Sequence, residues 1–236
     1  MRGGVPICWP WFGDAINPEH PAHGFVRNDT WTVISVEELK NGDTKIKLAF
    51  TDSKKTRDIW PFQFYLSLEL TIGDSLTLNL VTRNTGDQVF SITEALHTYF
   101  NVGDVSQAQI VGLEKSEYID KEEEFVSVCQ LGAITVTEAL DHIYINKGHN
   151  LAVTDPVLSR KINITSSGNN NVVVWNPGPD GAAKMQDLKA DDYKRFVCVE
   201  IANTASNIVK IEPGSEYSMV TSYSVERIFK NVHEIT

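Results

Sequence analysis

Every second residue from Phe64 to Ile72 is apolar (Phe64, Leu66, Leu68, Leu70, Ile72), and after Gly73-Asp74 the same period resumes at Leu76, Leu78 and Leu80. A period of two puts alternate side chains on opposite faces of an extended chain, so this stretch predicts two strands with one buried face. The signature recurs along most of the sequence. Strands are expected over 31–36 and 45–50, flanking Asn41-Gly42-Asp43, a hairpin turn that asks for positive φ. Asn84-Thr85-Gly86-Asp87 predicts another turn, and 89–102 a long extended segment. Further strands are expected over 110–111, 125–128, 134–136, 143–145, 151–153, 161–164, 172–175, 196–201, 208–211 and 216–225. Only 182–188 carries a helical pattern. Many short strands with regular turn punctuation define an all-β sandwich or barrel, and no linker or repeat divides residues 1–236, so one domain is expected.

A chain of 236 residues can bury one large core, and 42% hydrophobic with 22% charged residues is ordinary for a globular protein. A net charge of −10 argues against a nucleic-acid surface, which needs a basic stripe to displace counterions. It also means that an anionic ligand must be held by a local positive pocket. Cys8, Cys129 and Cys198 are widely spaced and lack zinc-type pairing, which predicts reduced, mostly buried thiols in a cytoplasmic protein. No apolar run reaches the ~20 residues of a membrane span, and none follows the first charge as in a signal peptide. The run Lys121-Glu122-Glu123-Glu124 predicts a solvated loop or strand end.

Residues 2–13 read Arg-Gly-Gly-Val-Pro-Ile-Cys-Trp-Pro-Trp-Phe-Gly, with two Trp, a Phe and two Pro in twelve positions. Such a loop is stiff, and its aromatic surface must pack or bind something. Paired glycines behind an arginine let backbone approach whatever the guanidinium holds. His23-Gly24-Phe25-Val26-Arg27 repeats the pairing of a cation with a glycine and an aromatic ring. Loops of this kind suit an anionic, ring-shaped ligand such as a phosphorylated sugar; a packed structural loop is the alternative.

Together, these two motifs with Glu94-Ala-Leu-His-Thr-Tyr-Phe100, Asp141-His-Ile-Tyr144, Val174-Trp-Asn-Pro177 and Asp192-Tyr-Lys-Arg-Phe-Val-Cys-Val-Glu200 resemble the hexose-6-phosphate mutarotases, or glucose-6-phosphate 1-epimerases, of the aldose 1-epimerase group. The resemblance runs from residue 2 to near the C-terminus. It implies the galactose-mutarotase-like β-supersandwich, apparently without the strands that family members carry ahead of the Arg-Gly-Gly motif. An exposed sheet edge is then expected where those strands would pair. The implied activity is an isomerase reaction, the interconversion of the α and β anomers of a hexose 6-phosphate, with glucose 6-phosphate the expected substrate. A base takes the anomeric proton, an acid protonates the ring oxygen, the ring opens, the exposed bond rotates and the ring recloses. No metal, nucleotide or redox cofactor is required, since no atom changes oxidation state. The partner is a small phosphosugar, with neither nucleic acid nor membrane, and a monomer or weak homodimer is expected.

The resemblance assigns Glu200 as general base and His97 as the acid at the ring oxygen. Glu200 ends the apolar run Phe196-Val-Cys-Val, where burial raises a carboxyl's pKa and makes it a better base near neutrality; a paired structural acid is the other reading. His97 sits within an apolar strand, where a hydrogen-bonded core histidine is the usual finding. Glu94 falls on the opposite strand face and is not expected to orient it. Asp141 is implied to accept hydrogen bonds from sugar hydroxyls, with a turn cap as the alternative. Arg2 and Arg27 are the phosphate candidates, because two converging guanidinium forks would form the local positive pocket. His23 shapes its loop or touches the sugar. Ala22 stands where some relatives place a polar contact. At least two of Trp9, Trp11 and Trp175 are expected to pack rather than stack on sugar, and neither His142 nor the Tyr193-Lys194-Arg195 run is given a role. The rival class is a non-catalytic carbohydrate- or phosphosugar-binding module on the same sandwich. A sugar-cleaving enzyme would need two carboxylates at a set separation, and only one of the candidates for proton transfer is a carboxylate.

Overall fold

The computed structural model describes residues 2–123, 126–145 and 150–228. Among these, two eight-stranded antiparallel sheets enclose a common hydrophobic core, and a third, two-stranded sheet joins Phe90–Ile92 to Val209–Ile211. The outer sheet runs Thr32–Glu38, Thr44–Thr51, Phe64–Ile72, Ser75–Asn84, Glu216–Arg227, Arg160–Ser167, Asn150–Asp155, Gln109–Val111. The inner sheet runs Ile7–Cys8, Glu94–Leu96, Phe196–Asn203, Asn171–Asn176, Leu140–Ile145, Glu117–Asp120, Val126–Cys129, with Tyr99–Asn101 also pairing Phe196–Asn203. Between the sheets lie Leu66, Leu80, Ile164, Val174 and Ile201, none exposing measurable surface. Full burial of each such side chain contributes roughly 1.5–3 kcal/mol.

The alternation in Phe64–Ile72 has this physical origin: Phe64, Leu66 and Leu68 are buried, and the face opens to solvent towards Ile72. Gly42 takes φ +88 in the hairpin turn that Asn41-Gly42-Asp43 announces. Thr32–Glu38, at the edge of the outer sheet, is exposed along its whole length.

Three sequence expectations are corrected. The 89–102 segment is not one strand. It breaks at Thr93 and again at His97-Thr98, so its pieces serve two different sheets. Residues 134–136 make only an isolated bridge, Ile134 to Ile110. The helix predicted at 182–188 lies earlier, at Gly178–Lys184, started by Pro177 and Pro179 and ended by extended backbone at Met185. A second short helix, Lys54–Ile59, begins at a capping box in which Ser53 and Thr56 satisfy each other's backbone N–H groups. Part of the strand expected at 125–128 and the end of the acidic run fall on residues 124–125, outside the described residues.

Glu94 opens its strand in the core, with Oε1 accepting from Asn203 Nδ2 at 3.3 Å and Oε2 unpartnered among the described residues. Burial pushes its carboxyl up to about 8, against the hydrogen bond from Asn203, which pulls the other way. A carboxyl whose folded pKa lies above its ordinary 4.5 holds its proton more tightly folded than unfolded. The stabilisation is therefore full below about pH 4.5 and is lost as pH rises towards about 8, at ~1.4 kcal/mol per pH unit. Glu200, also raised by burial, adds a slope of the same sign. Glu94→Gln, which keeps the neutral shape, is expected to flatten the fall in Tm between pH 6.5 and 8 without abolishing it. Melting curves across that range check this, and an unaltered slope would show that Glu94 stays ionised.

Candidate active site

The break at His97-Thr98 builds the site. Glu94–Leu96 and Tyr99–Asn101 share one register along Phe196–Asn203: Leu96 faces Ile201, and Tyr99 faces Cys198. His97 is thereby set opposite Glu200, and their side chains point to the sheet face that turns away from the main core. That face carries a small apolar cluster of Cys8, Ala95, Ile143, Val173 and Ala202, which floors the site. His97 Nε2 lies 3.2 Å from Glu200 Oε1, with side chains 10% and 1% exposed. His97 Nδ1 and Glu200 Oε2 have no partner within the protein among the described residues.

The glycine-rich loop is bound to this break through its backbone. His97 N–H donates to Pro6 O and Tyr99 N–H to Gly4 O, both at 3.0 Å. Trp9 is wholly buried in the core, its indole N–H donating to Thr82 Oγ1 at 3.0 Å, and Trp11 braces the second loop through Pro21 O at 3.1 Å. Gly24 takes φ +73 and passes so close to the first loop that a Cβ would lie 1.8 Å from Trp9 O. No other residue fits that crossing. His23 is held at φ +60, its N–H donating to Gly13 O at 2.6 Å and its Nδ1 accepting from Gly13 N–H at 3.3 Å. Strained backbone of this kind persists only where neighbours enforce it. It brings the His23 ring to 5.9 Å from that of His97.

A cleft of about 350 Å³, the size of small-molecule pockets, is lined by Arg2, Arg27, Asn28, His97, Tyr99 and Asp187. Arg2 Nε pairs with Asp187 at 3.1 Å, and its guanidinium lies 5.6 Å from the Trp175 ring centre. Arg27 donates to the carbonyl of Ala22 at 2.8 Å, so the backbone of Ala22, rather than its side chain, aims the second guanidinium. Trp175 also meets His97 edge-on at 6.0 Å, and is the tryptophan of the three that faces the site.

Asp141 lies inside Leu140–Ile145 and does not cap a turn; its carboxylate pairs with Lys121 Nζ at 2.7 Å. His142, on the opposite strand face, packs against Tyr118 and pairs with Asp120 at 3.1 Å, away from Asp141. The Tyr193-Lys194-Arg195 run forms a single 3-10 turn ahead of the Glu200 strand. Glu94 and His97 do not pair.

Two residues that the sequence did not single out belong here. Tyr99 stacks on His97 at 4.9 Å with the rings 10° from parallel, and its hydroxyl accepts from Arg2 at 3.4 Å. Its position two residues after His97 is a strand-period signal that could have found it. Lys121 departs from the solvated-run expectation: it turns inward to Asp141 while Glu122 and Glu123 are exposed.

Burial pushes Glu200 well above the usual carboxylate range, helped by the negative charge of Asp141 and opposed by Lys121. Burial also lowers His97 to about 3, with His23 and the two arginines acting in the same direction. Both shifts favour the neutral forms, a protonated carboxyl whose Oε1 lies 3.2 Å from an unprotonated imidazole. Passing the carboxyl proton across that 3.2 Å contact would convert a neutral pair into carboxylate and imidazolium without any exchange with solvent. Cys198 shares this face, and the donor atoms of His97, Cys198 and Glu200 lie within 4.8 Å of one another. Burial drives the thiol up, and a protonated thiol is a poor metal ligand.

An all-β sandwich with a buried histidine–carboxylate pair beside a cationic cleft is the arrangement of a sugar-isomerising enzyme. The sequence profile of the aldose 1-epimerase family matches residues 1–224, and the chain belongs to that family. A relative from Escherichia coli K12, provisionally named glucose-6-phosphate 1-epimerase, is 39% identical over 203 residues, 86% of this chain and 67% of the relative. The chain thus spans about two thirds of the length of that curated relative. The crystal structure of YeaD from Salmonella typhimurium, provisionally named a mutarotase, superposes with a TM-score of 0.89 at 33% identity, covering 96% of this chain and 75% of that one. A galactose mutarotase-like protein of Lactobacillus casei shares the fold at 14% identity, with a TM-score of 0.76 over 94% of this chain and 85% of its own. Among the described residues, no helix is long and apolar enough to cross a membrane.

Proposed function

We propose that the protein interconverts the α and β anomers of a hexose 6-phosphate, glucose 6-phosphate first among them, by acid/base ring opening. The observation that carries this reading is the 3.2 Å contact between Glu200 and His97, where His97 lines a cleft that also holds Arg2 and Arg27. As the sugar binds beside imidazole and carboxyl, the proton of the buried Glu200 carboxyl passes to His97. Glu200 then accepts the anomeric proton while His97 Nε2 donates to the ring oxygen, and the bond from the anomeric carbon to that oxygen breaks. Rotation about the bond between the first two carbons turns the aldehyde. Reclosure runs the transfers backwards on the opposite face and returns both groups to their starting state. Each transfer is between a group and an oxygen it can touch, as general acid/base catalysis demands.

Arg2 and Arg27 hold the phosphate, giving a protein of net charge −10 the local cationic pocket it needs. His23, lowered to about 4 by burial and then by Arg27, stays neutral and supports His97 without competing for its proton. The three cysteines are unpaired thiols, which fits a reducing, cytoplasmic setting, and a monomer or weak dimer suffices because the residues assigned to the site come from one chain. Freshly dissolved α-glucose 6-phosphate is expected to reach anomeric equilibrium faster with the protein than without it. Relaxation at the uncatalysed rate overturns the proposal.

A further inference from the structure

The polar groups carried by strands of the inner sheet follow one order across it. Arg27 lines the cleft beside His97, Arg2 reaches from Tyr99 over Trp175, and His97 meets Glu200 across the ladder. Val173 and Trp175 follow on the next strand, in register with Glu200 and Cys198. Asp141 lies opposite Trp175 on the strand beyond, and Lys121, just past the end of the Glu117–Asp120 strand, donates its N–H to Asp141 O at 3.0 Å. A pyranose 6-phosphate presents its atoms in the same order: the phosphate on C6, then C5 and the ring oxygen, C1 with its hydroxyl, then C2 and C3 with theirs. With the proton donor at the ring oxygen and the acceptor at the C1 hydroxyl, whatever lies beyond Glu200 faces C2 and C3.

We infer that Lys121 is a substrate-recognising residue: it and Asp141, an ion pair in this structure, divide between the adjacent hydroxyls of C2 and C3. The ammonium donates to one oxygen and the carboxylate accepts from its neighbour. This rests on the assignment of His97 and Glu200 given above.

Several observations set this pair apart from an ordinary surface salt bridge, which contributes little. The Nζ–Oδ2 distance is 2.7 Å, and the side chains are 32% and 16% exposed. The charge of Lys121 is felt at both Glu200 and His23, which stand on different walls of the site. Glu122 and Glu123, next in the chain, are exposed, and their backbone N–H groups donate to Asp120 Oδ1. An ammonium offers three protons and Asp141 takes one, so a hydroxyl can be added without breaking the pair. Vicinal hydroxyls, each both donor and acceptor, match a fixed cation and anion side by side.

The test compares wild type with Lys121→Met on glucose 6-phosphate and its 2-deoxy and 3-deoxy forms, measuring turnover by NMR exchange and binding by calorimetry. On glucose 6-phosphate the variant is expected to raise KM and Kd by about tenfold or more, the effect of losing one hydrogen bond to a charged donor, with kcat within a few-fold. On the deoxy sugar lacking the oxygen that Lys121 holds, variant and wild type are expected to match. Lys121→Arg should recover part of the loss on glucose 6-phosphate. Melting curves establish that each variant folds, and Lys121→Gln replaces Met should that variant fail to fold. An equal loss on all three sugars, or no loss on any, overturns the inference. Should wild type itself leave glucose 6-phosphate anomers unchanged, the acid/base assignment falls and this one with it. Wild-type turnover with an indistinguishable Lys121 variant removes Lys121 alone.

Discussion

Glu200→Gln is expected to lower turnover on glucose 6-phosphate by roughly 10²–10⁴, the usual contribution of a positioned general base, while Kd changes little. The amide has nearly the shape of the neutral carboxyl that burial favours here, so the fold should hold, and Tm at pH 6 should stay within a few degrees. What the amide cannot do is accept a proton from the anomeric hydroxyl. Anomer exchange followed by NMR reads the rate directly, and a wild-type rate would remove Glu200 from the mechanism. His97→Asn makes a paired test. It retains a polar group at 97 and abolishes delivery of a proton to the ring oxygen. Because imidazole and carboxylate lie 3.2 Å apart and act as one unit, the double variant should be little worse than either single one.

Arg27→Ala is expected to raise KM for glucose 6-phosphate about 10- to 100-fold, matching one or two charge-assisted hydrogen bonds to phosphate, and to leave KM for unphosphorylated glucose unchanged. Arg27 is the cleaner probe of the two arginines, since its recorded contact is with backbone at Ala22. Arg2 is tied to Asp187, Tyr99 and Trp175, so removing it disturbs the wall of the cleft as well. The loss in the Arg27 variant should shrink as salt rises, because an exposed guanidinium is screened. Equal losses on both sugars would place Arg27 in loop structure and not in phosphate recognition.

Alternation made most of the strands legible because one face of each is buried and the other is not, as in Phe64–Ile72. It was silent where the chain changes partners. Residues 89–102 form three short strands, and Phe90–Ile92 pairs with Val209–Ile211 while Glu94–Leu96 and Tyr99–Asn101 pair with Phe196–Asn203. Nothing local marks the breaks, since they depend on which strand lies alongside. Lys121 was obscured for a different reason. It opens an acidic run whose other described members are solvated, and composition does not say which way one side chain turns.

By itself the sequence determined that the chain is a sheet protein, which two aromatic glycine-bearing loops matter, and which residue types are chemically equipped to move protons and hold an anion. Those properties are local: backbone preference, period and functional group all belong to a few neighbouring residues. Tertiary structure alone decided that His97 faces Glu200, that His97 shares a cleft with two arginines, and that Asp141 holds a lysine. Residues about a hundred positions apart become neighbours only through the register of a ladder, and burial by that same packing pushes His97 and Glu200 towards their neutral forms.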